Sequence, residues 1–239
     1  MFNIHPLTYL LIFISLLSGK FKIIIVFLLL ILFHELGHFL TAKVFNWKID
    51  KIYIYPLGGI TRFNDRVNKP LIEEFLVAIM GPIFQVILTI FLSRIDNIVY
   101  LSKSLLIFNL LPIVPLDGGR ILNILLSTIK PYRKSMNLVI RISYIMYLLL
   151  VMFAFKLSSF FFILVIFLLI FKINDEKRLI KHIFGKFMLE RAIFSYKYKK
   201  SIMINKINDM YKYKNNIIKD NNRIYSEKDY FMEKRIVKK

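Results

Sequence analysis

Residues 21–45 read FKIIIVFLLLILFHELGHFLTAKVF, and every residue from Ile23 to Phe33 is apolar. A bilayer core about 30 Å thick needs about 20 such residues in a helix, so this stretch is long enough to cross one. Working outward, further apolar runs fall at about 6–19, 71–93, 104–129, 136–154 and 157–173. They predict an all-α polytopic membrane protein with about six transmembrane helices. The first run is short and abuts the second, so the two are expected to form a tight hairpin at Gly19-Lys20. A cleaved signal peptide is the competing reading of the N-terminus; Met1–Leu17 has neither a basic residue before its apolar core nor an A-x-A-like site after it. Of the 239 residues, 57% are hydrophobic, above the 45–50% usual for soluble domains, which excludes an ordinary soluble enzyme. The absence of cysteine excludes disulfides, Cys-based zinc ribbons, Fe–S clusters and thiol nucleophiles.

Charge orients the spans. The net charge is +20, and residues 172–239 hold 19 of the 35 basic and 8 of the 15 acidic residues. Lys43, Lys48, Lys51, Arg62, Arg66 and Lys69 follow the second span, and Lys130, Arg133 and Lys134 follow the fourth. The alternate loops are poorer: Lys20 and Lys22, then Arg94 and Lys103, then Lys156. The positive-inside rule then puts both termini in the cytoplasm, with a small basic tail over 174–239 lying against anionic lipid. The tail carries no nucleic-acid-binding motif, so no nucleic-acid partner is expected. Within the cytoplasmic loop, residues 51–63 (KIYIYPLGGITRF) place β-formers on both sides of a Pro-Leu-Gly-Gly turn, which predicts a short hairpin; an ordinary loop is the alternative.

The chemistry lies in mid-span. On a helix, positions i and i+4 share a face, so His34 and His38 can turn toward one metal ion. Glu35 stands beside them, placed to take a proton from water on that ion, which is the H-E-x-x-H arrangement of zinc hydrolases. With four His and seven Glu in the chain, composition alone yields such a match on the order of 0.2% of the time. Two packed histidines would be the plainer reading, but an ionisable cluster in lipid is costly and marks a functional site. A catalytic zinc takes three protein ligands and keeps one open position. The other acidic residue deep in a span is Asp117, in NLLPIVPLDGGR (109–120). His34 and Asp117 each lie some 13 residues into spans that run the same way, which at 1.5 Å per residue puts both roughly 20 Å from the outer face. A helix-capping role for Asp117 is the alternative. Arg120 is expected to reach the interface, with a contact to Asp117 or lipid phosphate as the other options.

Together, His34–His38, the later Asn109…Pro112…Pro115-Leu-Asp117-Gly118-Gly119 element and the Gly81-Pro82 pair resemble the site-2 proteases, intramembrane zinc metalloproteases, over residues 1 to about 173. The phrase Pro-Leu-Asp-Gly-Gly-Arg is most similar to the sporulation members of that family. The resemblance implies one zinc ion held by His34, His38 and Asp117, with Glu35 as general base and Asn109 near the substrate carbonyl. A helix-to-helix hydrogen bond is the plainer role for Asn109. It also implies that the hairpin is the family's re-entrant loop. The implied substrate is a membrane-bound sigma-factor precursor (sigma-K), and the implied partners include membrane-bound inhibitory regulators. The implied location is the mother-cell membrane around the forespore. Residues 1–173 would form the protease domain. Gln85 stands where many members have Asn, and no role is assigned to it. Longer sporulation members carry a nucleotide-sensing CBS domain; residues 174–239 are too few for a CBS pair and suggest at most a degenerate remnant. A zinc-holding scaffold and a transporter are the competing functions. A transporter would show paired broken spans and polar residues along a path. The oligomeric state is not legible.

Overall fold

Helix α1 (Phe21–Val44) forms from the second of these apolar runs and carries the two histidines. A computed structural model describes residues 2–4, 19, 21–55, 58–63, 66–95, 97–157, 160–220 and 223–233, with the backbone alone at 2–4, 21, 49–55, 58–63, 155–157 and 160–164. The predicted span at 6–19 lies outside the described residues, apart from Gly19, which sits in a turn at φ 68°. Among the described residues, Lys22–Val44, Leu71–Phe91 and Tyr132–Ala154 are long and apolar enough to cross a membrane. The chain divides into two units. The first comprises residues 1–65 and 72–111, the second 66–71 and 112–239.

In the first unit, α1 is followed by strands β2 (Ile49–Tyr55) and β3 (Gly58–Phe63), which pair antiparallel, so the predicted hairpin is present. Strand β1 (Phe2–Ile4) adds in parallel to β2, which leaves β3 as an edge among the described strands. Two helices complete the unit: α2 (Leu71–Phe91) and α3 (Ile98–Asn109). Asn46, at φ 54°, ends α1. Its N–H donates to Lys43 and that of Trp47 to Ala42 (3.0 and 2.9 Å), the paired bonds of a Schellman cap. The cap turns Trp47 back into the fold, where it packs with Ala42 and Val77 and donates from Nε1 to Glu73 at 2.9 Å. Leu30 and Ile31 of α1 pack with Leu88 of α2 and with Ile98 and Leu105 of α3. The closest approach is at Gly37, where a Cβ would lie 2.4 Å from the Met80 carbonyl oxygen. Only glycine admits α2 there.

The span predicted over 104–129 is interrupted at its two prolines. Residues 110–116 are not helical; they separate α3 from helix α4 (Asp117–Ile129), and Val114–Pro115 is cis. Pro112 and Pro115 lack the N–H groups a continuous helix would need. The depth arithmetic for Asp117 therefore runs through seven non-helical residues and does not hold. The Val114 N–H instead donates to the buried Ser143 hydroxyl at 3.0 Å, so a break at membrane depth is partly satisfied by protein. Gly118 and Gly119 are helical. Gly119 serves close packing: a Cβ there would meet the Ile113 carbonyl at 2.6 Å.

Helices α5 (Tyr132–Leu157) and α6 (Phe160–Ile193) follow, then strands β4 (Ser201–Ile204), β5 (Asn215–Asp220) and β6 (Arg223–Ser226) and helix α7 (Glu227–Glu233). The buried residues Ile173, Ile180, Phe184, Phe187 and Arg191 recur at helical spacing along α6. One face therefore continues from the apolar half into the charged half. Ile180, Phe184 and Phe187 pack with Tyr132, Met136 and Ile140 of α5, Ile204, Met210, Ile218 and Phe231. Arg191 is 2% exposed and its charge is matched. It donates to Asn68 Oδ1 (2.7 Å), to Glu227 (3.2 Å) and to the Lys212 carbonyl. Glu190 accepts from the Val67 and Asn68 amides, each at 2.9 Å. These bonds place residues 66–71 in this unit. A buried charge survives only when paired in this way. Beyond the predicted 157–173 span, burial raises the Glu176 carboxyl above the ordinary carboxylate range, with Lys172 opposing, Asp175 reinforcing and Arg120 opposing.

Candidate metal centre

The site is built on the face where α1 meets α2. His34, Glu35 and His38 are 3%, 5% and 4% exposed, and their ligand atoms all lie within 4.8 Å of one another. Both imidazoles are held from behind. His38 Nδ1 donates to the Val77 carbonyl at 2.7 Å, and His34 Nδ1 donates to Gln85 Oε1 at 3.0 Å. A carbonyl oxygen only accepts, so each neutral ring carries its proton on Nδ1. Both Nε2 lone pairs then face one point, with the two nitrogens 3.2 Å apart. Two acceptors at that distance repel unless a cation lies between them. Two zinc–nitrogen bonds of 2.0–2.1 Å at a tetrahedral angle would hold such nitrogens about 3.3 Å apart, close to the spacing seen.

Gly81 of α2 supplies the space. A Cβ there would lie 2.3 Å from His38 Nε2 and 2.9 Å from His34 Nε2. Val77, Gly81 and Gln85 follow one another at i+4, so one stripe of α2 supplies a carbonyl, a gap and an amide to the two histidines. The donor set, the nitrogen spacing and the cradle at Gly81 fit a zinc ion.

The other predicted residues fall as follows. Asn109 is the last residue of α3 and is buried, on the stripe that also carries Ile98, Ser102 and Leu105. Asp117 is the first residue of α4, in the second unit, where a carboxylate suits the positive end of the helix dipole. The capping position is held by Leu116. The structure thus brings His34, Glu35 and His38 together in the first unit, while Asp117 belongs to the other. Sequence reasoning missed the part played by Gln85. Its signal was an amide side chain one helical turn after Gly81 in an apolar span.

Buried histidines paired at their Nε2 atoms, next to a carboxylate on a membrane-capable helix, define a metal-dependent hydrolase of the membrane. The model of peptidase family M50 matches residues 22–96 and 93–153, and the chain belongs to that family. It is a zinc metalloendopeptidase of the site-2 protease type and an integral membrane protein. It is 34% identical over 203 residues to stage IV sporulation protein FB of Bacillus subtilis, covering 79% of this chain and 70% of that protein. It is 30% identical over 165 residues to a zinc metalloprotease of Methanocaldococcus jannaschii, covering 63% of this chain and 48% of that one. Among solved structures, the site-2 protease from Methanocaldococcus jannaschii matches with a TM-score of 0.59 and 28% identity, over 73% of this chain and 89% of that one.

Proposed function

We propose that the chain cleaves a peptide bond in or near the membrane segment of a tethered protein, through a zinc held by His34, His38 and Asp117. The observation that carries this reading is the pair of Nε2 atoms 3.2 Å apart beside Glu35, around the gap at Gly81. When bound, zinc supplies a Lewis acid that acidifies water and polarises a carbonyl. Glu35 takes the proton of the attacking water and returns it to the departing amide nitrogen. Asn109 donates its amide N–H to the carbonyl oxygen as that oxygen gains charge. Asp117 supplies the third bond, anionic and fixed at a helix start. Asp117→Ala is expected to lower zinc affinity by tenfold or more and to abolish product. Full zinc occupancy with normal cleavage in that variant would remove Asp117 from the ligand set.

A helical substrate hides its peptide bonds and must be extended before it is cut. Strand β3 offers an edge to which an extended segment can add. Replacing Gly58 and Gly59 with valine is expected to lower turnover several-fold while zinc content stays at one per chain. Equal turnover in the variant would discard the strand-addition step.

The likeness to a sporulation protein supports a sigma-factor precursor (sigma-K) as substrate, membrane-bound inhibitory regulators as partners, and the mother-cell membrane around the forespore as location. The apolar runs support six spans, the charge pattern supports both termini in the cytoplasm, and the family resemblance over residues 1–173 supports that stretch as the protease domain, with 174–239 as its basic tail. Co-expression with a sigma-K precursor tests the substrate directly. A shortened product is expected with the wild-type chain, and an intact precursor throughout would exclude it.

A further inference from the structure

We propose that Gln85 is the positioning residue for the zinc ligand His34, fixing through its side-chain amide which ring nitrogen is free to bind metal. This rests on the reading of His34 as a ligand. Gln85 is wholly buried in α2. Its Nε2 lies 2.8 Å from the Ser102 backbone carbonyl and 3.1 Å from the Ser102 hydroxyl. The carbonyl only accepts, so the amide nitrogen must face Ser102 and the amide oxygen must face His34. With Oε1 as its partner at 3.0 Å, His34 Nδ1 carries the proton and Nε2 keeps its lone pair. The amide cannot flip without setting two oxygens against each other at the Ser102 carbonyl.

The arrangement is anchored on a third helix. The Ser102 hydroxyl of α3 meets Thr89 Oγ1 at 2.5 Å, and Thr89 donates to the backbone carbonyl of Gln85 at 2.8 Å. The chain of bonds therefore runs from α3 through α2 to the histidine of α1. The two histidines differ in how they are held. His38 Nδ1 leans on a main-chain carbonyl, which no substitution removes, whereas the acceptor at His34 Nδ1 is a side chain. Partners behind a metal-bound histidine typically change metal affinity 10–100-fold.

The test measures zinc affinity in the full-length, detergent-solubilised protein by competition with a chromogenic chelator. Gln85→Met keeps the volume and removes both bonds; its affinity is expected to fall about 10–100-fold. Gln85→Glu, protonated on the oxygen that faces the Ser102 carbonyl, keeps an acceptor for His34 Nδ1 and is expected to recover most of that loss. A role in packing alone would leave zinc affinity unmoved in the folded Met variant, and that result overturns the proposal. Loss in the Glu variant as deep as in the Met variant overturns it too. Wild-type protein labelled with 15N-histidine and loaded with zinc gives a reading that needs no variant. The His34 resonance is expected to show a proton on Nδ1, and a proton on Nε2 overturns the proposal. His34→Ala separates the premises: if that variant keeps full zinc affinity, the ligand reading fails and the proposal with it. If it loses zinc while Gln85→Met does not, the role of Gln85 alone fails.

Discussion

Glu35→Gln keeps zinc at the wild-type level and lowers cleavage by about 10²–10⁴-fold, the usual contribution of a positioned general acid–base group. The substitution is nearly isosteric, and Glu35 is 5% exposed on a helix whose packing it leaves intact. What it removes is the capacity to accept a proton. The side chain lies with His34 and His38 in one group of ligand atoms, so an amide there still leaves two nitrogens converging at 3.2 Å. The measurement is zinc by elemental analysis of the purified variant, paired with product formation on a co-expressed membrane-tethered substrate. Cleavage within a few-fold of wild type would mean that the proton goes elsewhere. This variant also separates a protease from a zinc-holding scaffold, which would tolerate the amide.

The second large effect is expected at Gly81. Alanine there places a methyl 2.3 Å from His38 Nε2, 2.5 Å from His38 Cε1 and 2.9 Å from His34 Nε2, where 3.4–4 Å is ordinary contact. The helices cannot separate cheaply to admit it. Gly37 already brings α1 against the Met80 carbonyl, and both imidazoles are tied to α2 through Val77 and Gln85. The methyl displaces the rings or fills the point on which they converge. Zinc content in Gly81→Ala is expected to fall below about a tenth of wild type, with cleavage lost and helical content preserved by circular dichroism. Gly185→Ala is the matched control. A methyl added to that glycine, on α6, would have nothing within 4 Å, so alanine there is expected to stabilise the helix slightly. Wild-type zinc content in Gly81→Ala would show that the ion does not lie between the two histidines.

The parts legible in the sequence were those whose geometry is set within one element. Two histidines four apart on an apolar helix share a face whatever surrounds them, so the pairing of His34 with His38 followed from spacing. The β2–β3 hairpin was equally local, since turn residues between two β-rich arms dictate it. Prolines 112 and 115 signalled a disturbance, but composition did not tell a kinked span from two helices. The Ser143 hydroxyl that receives the Val114 amide lies 29 residues away. The burial of Arg191 was not legible for a related reason: the partners of Glu190 and Arg191 lie as far as 123 residues away in the chain.

The sequence by itself determined the membrane character, the H-E-x-x-H helix and its metal pair, because hydropathy and helical period act over neighbouring residues. Only the tertiary structure decided what holds that pair. A glycine becomes a cradle, and a glutamine becomes the support of a histidine, only when two helices pack at one register. That register depends on the contact of Gly37 with the main chain of Met80, which no spacing along either helix encodes.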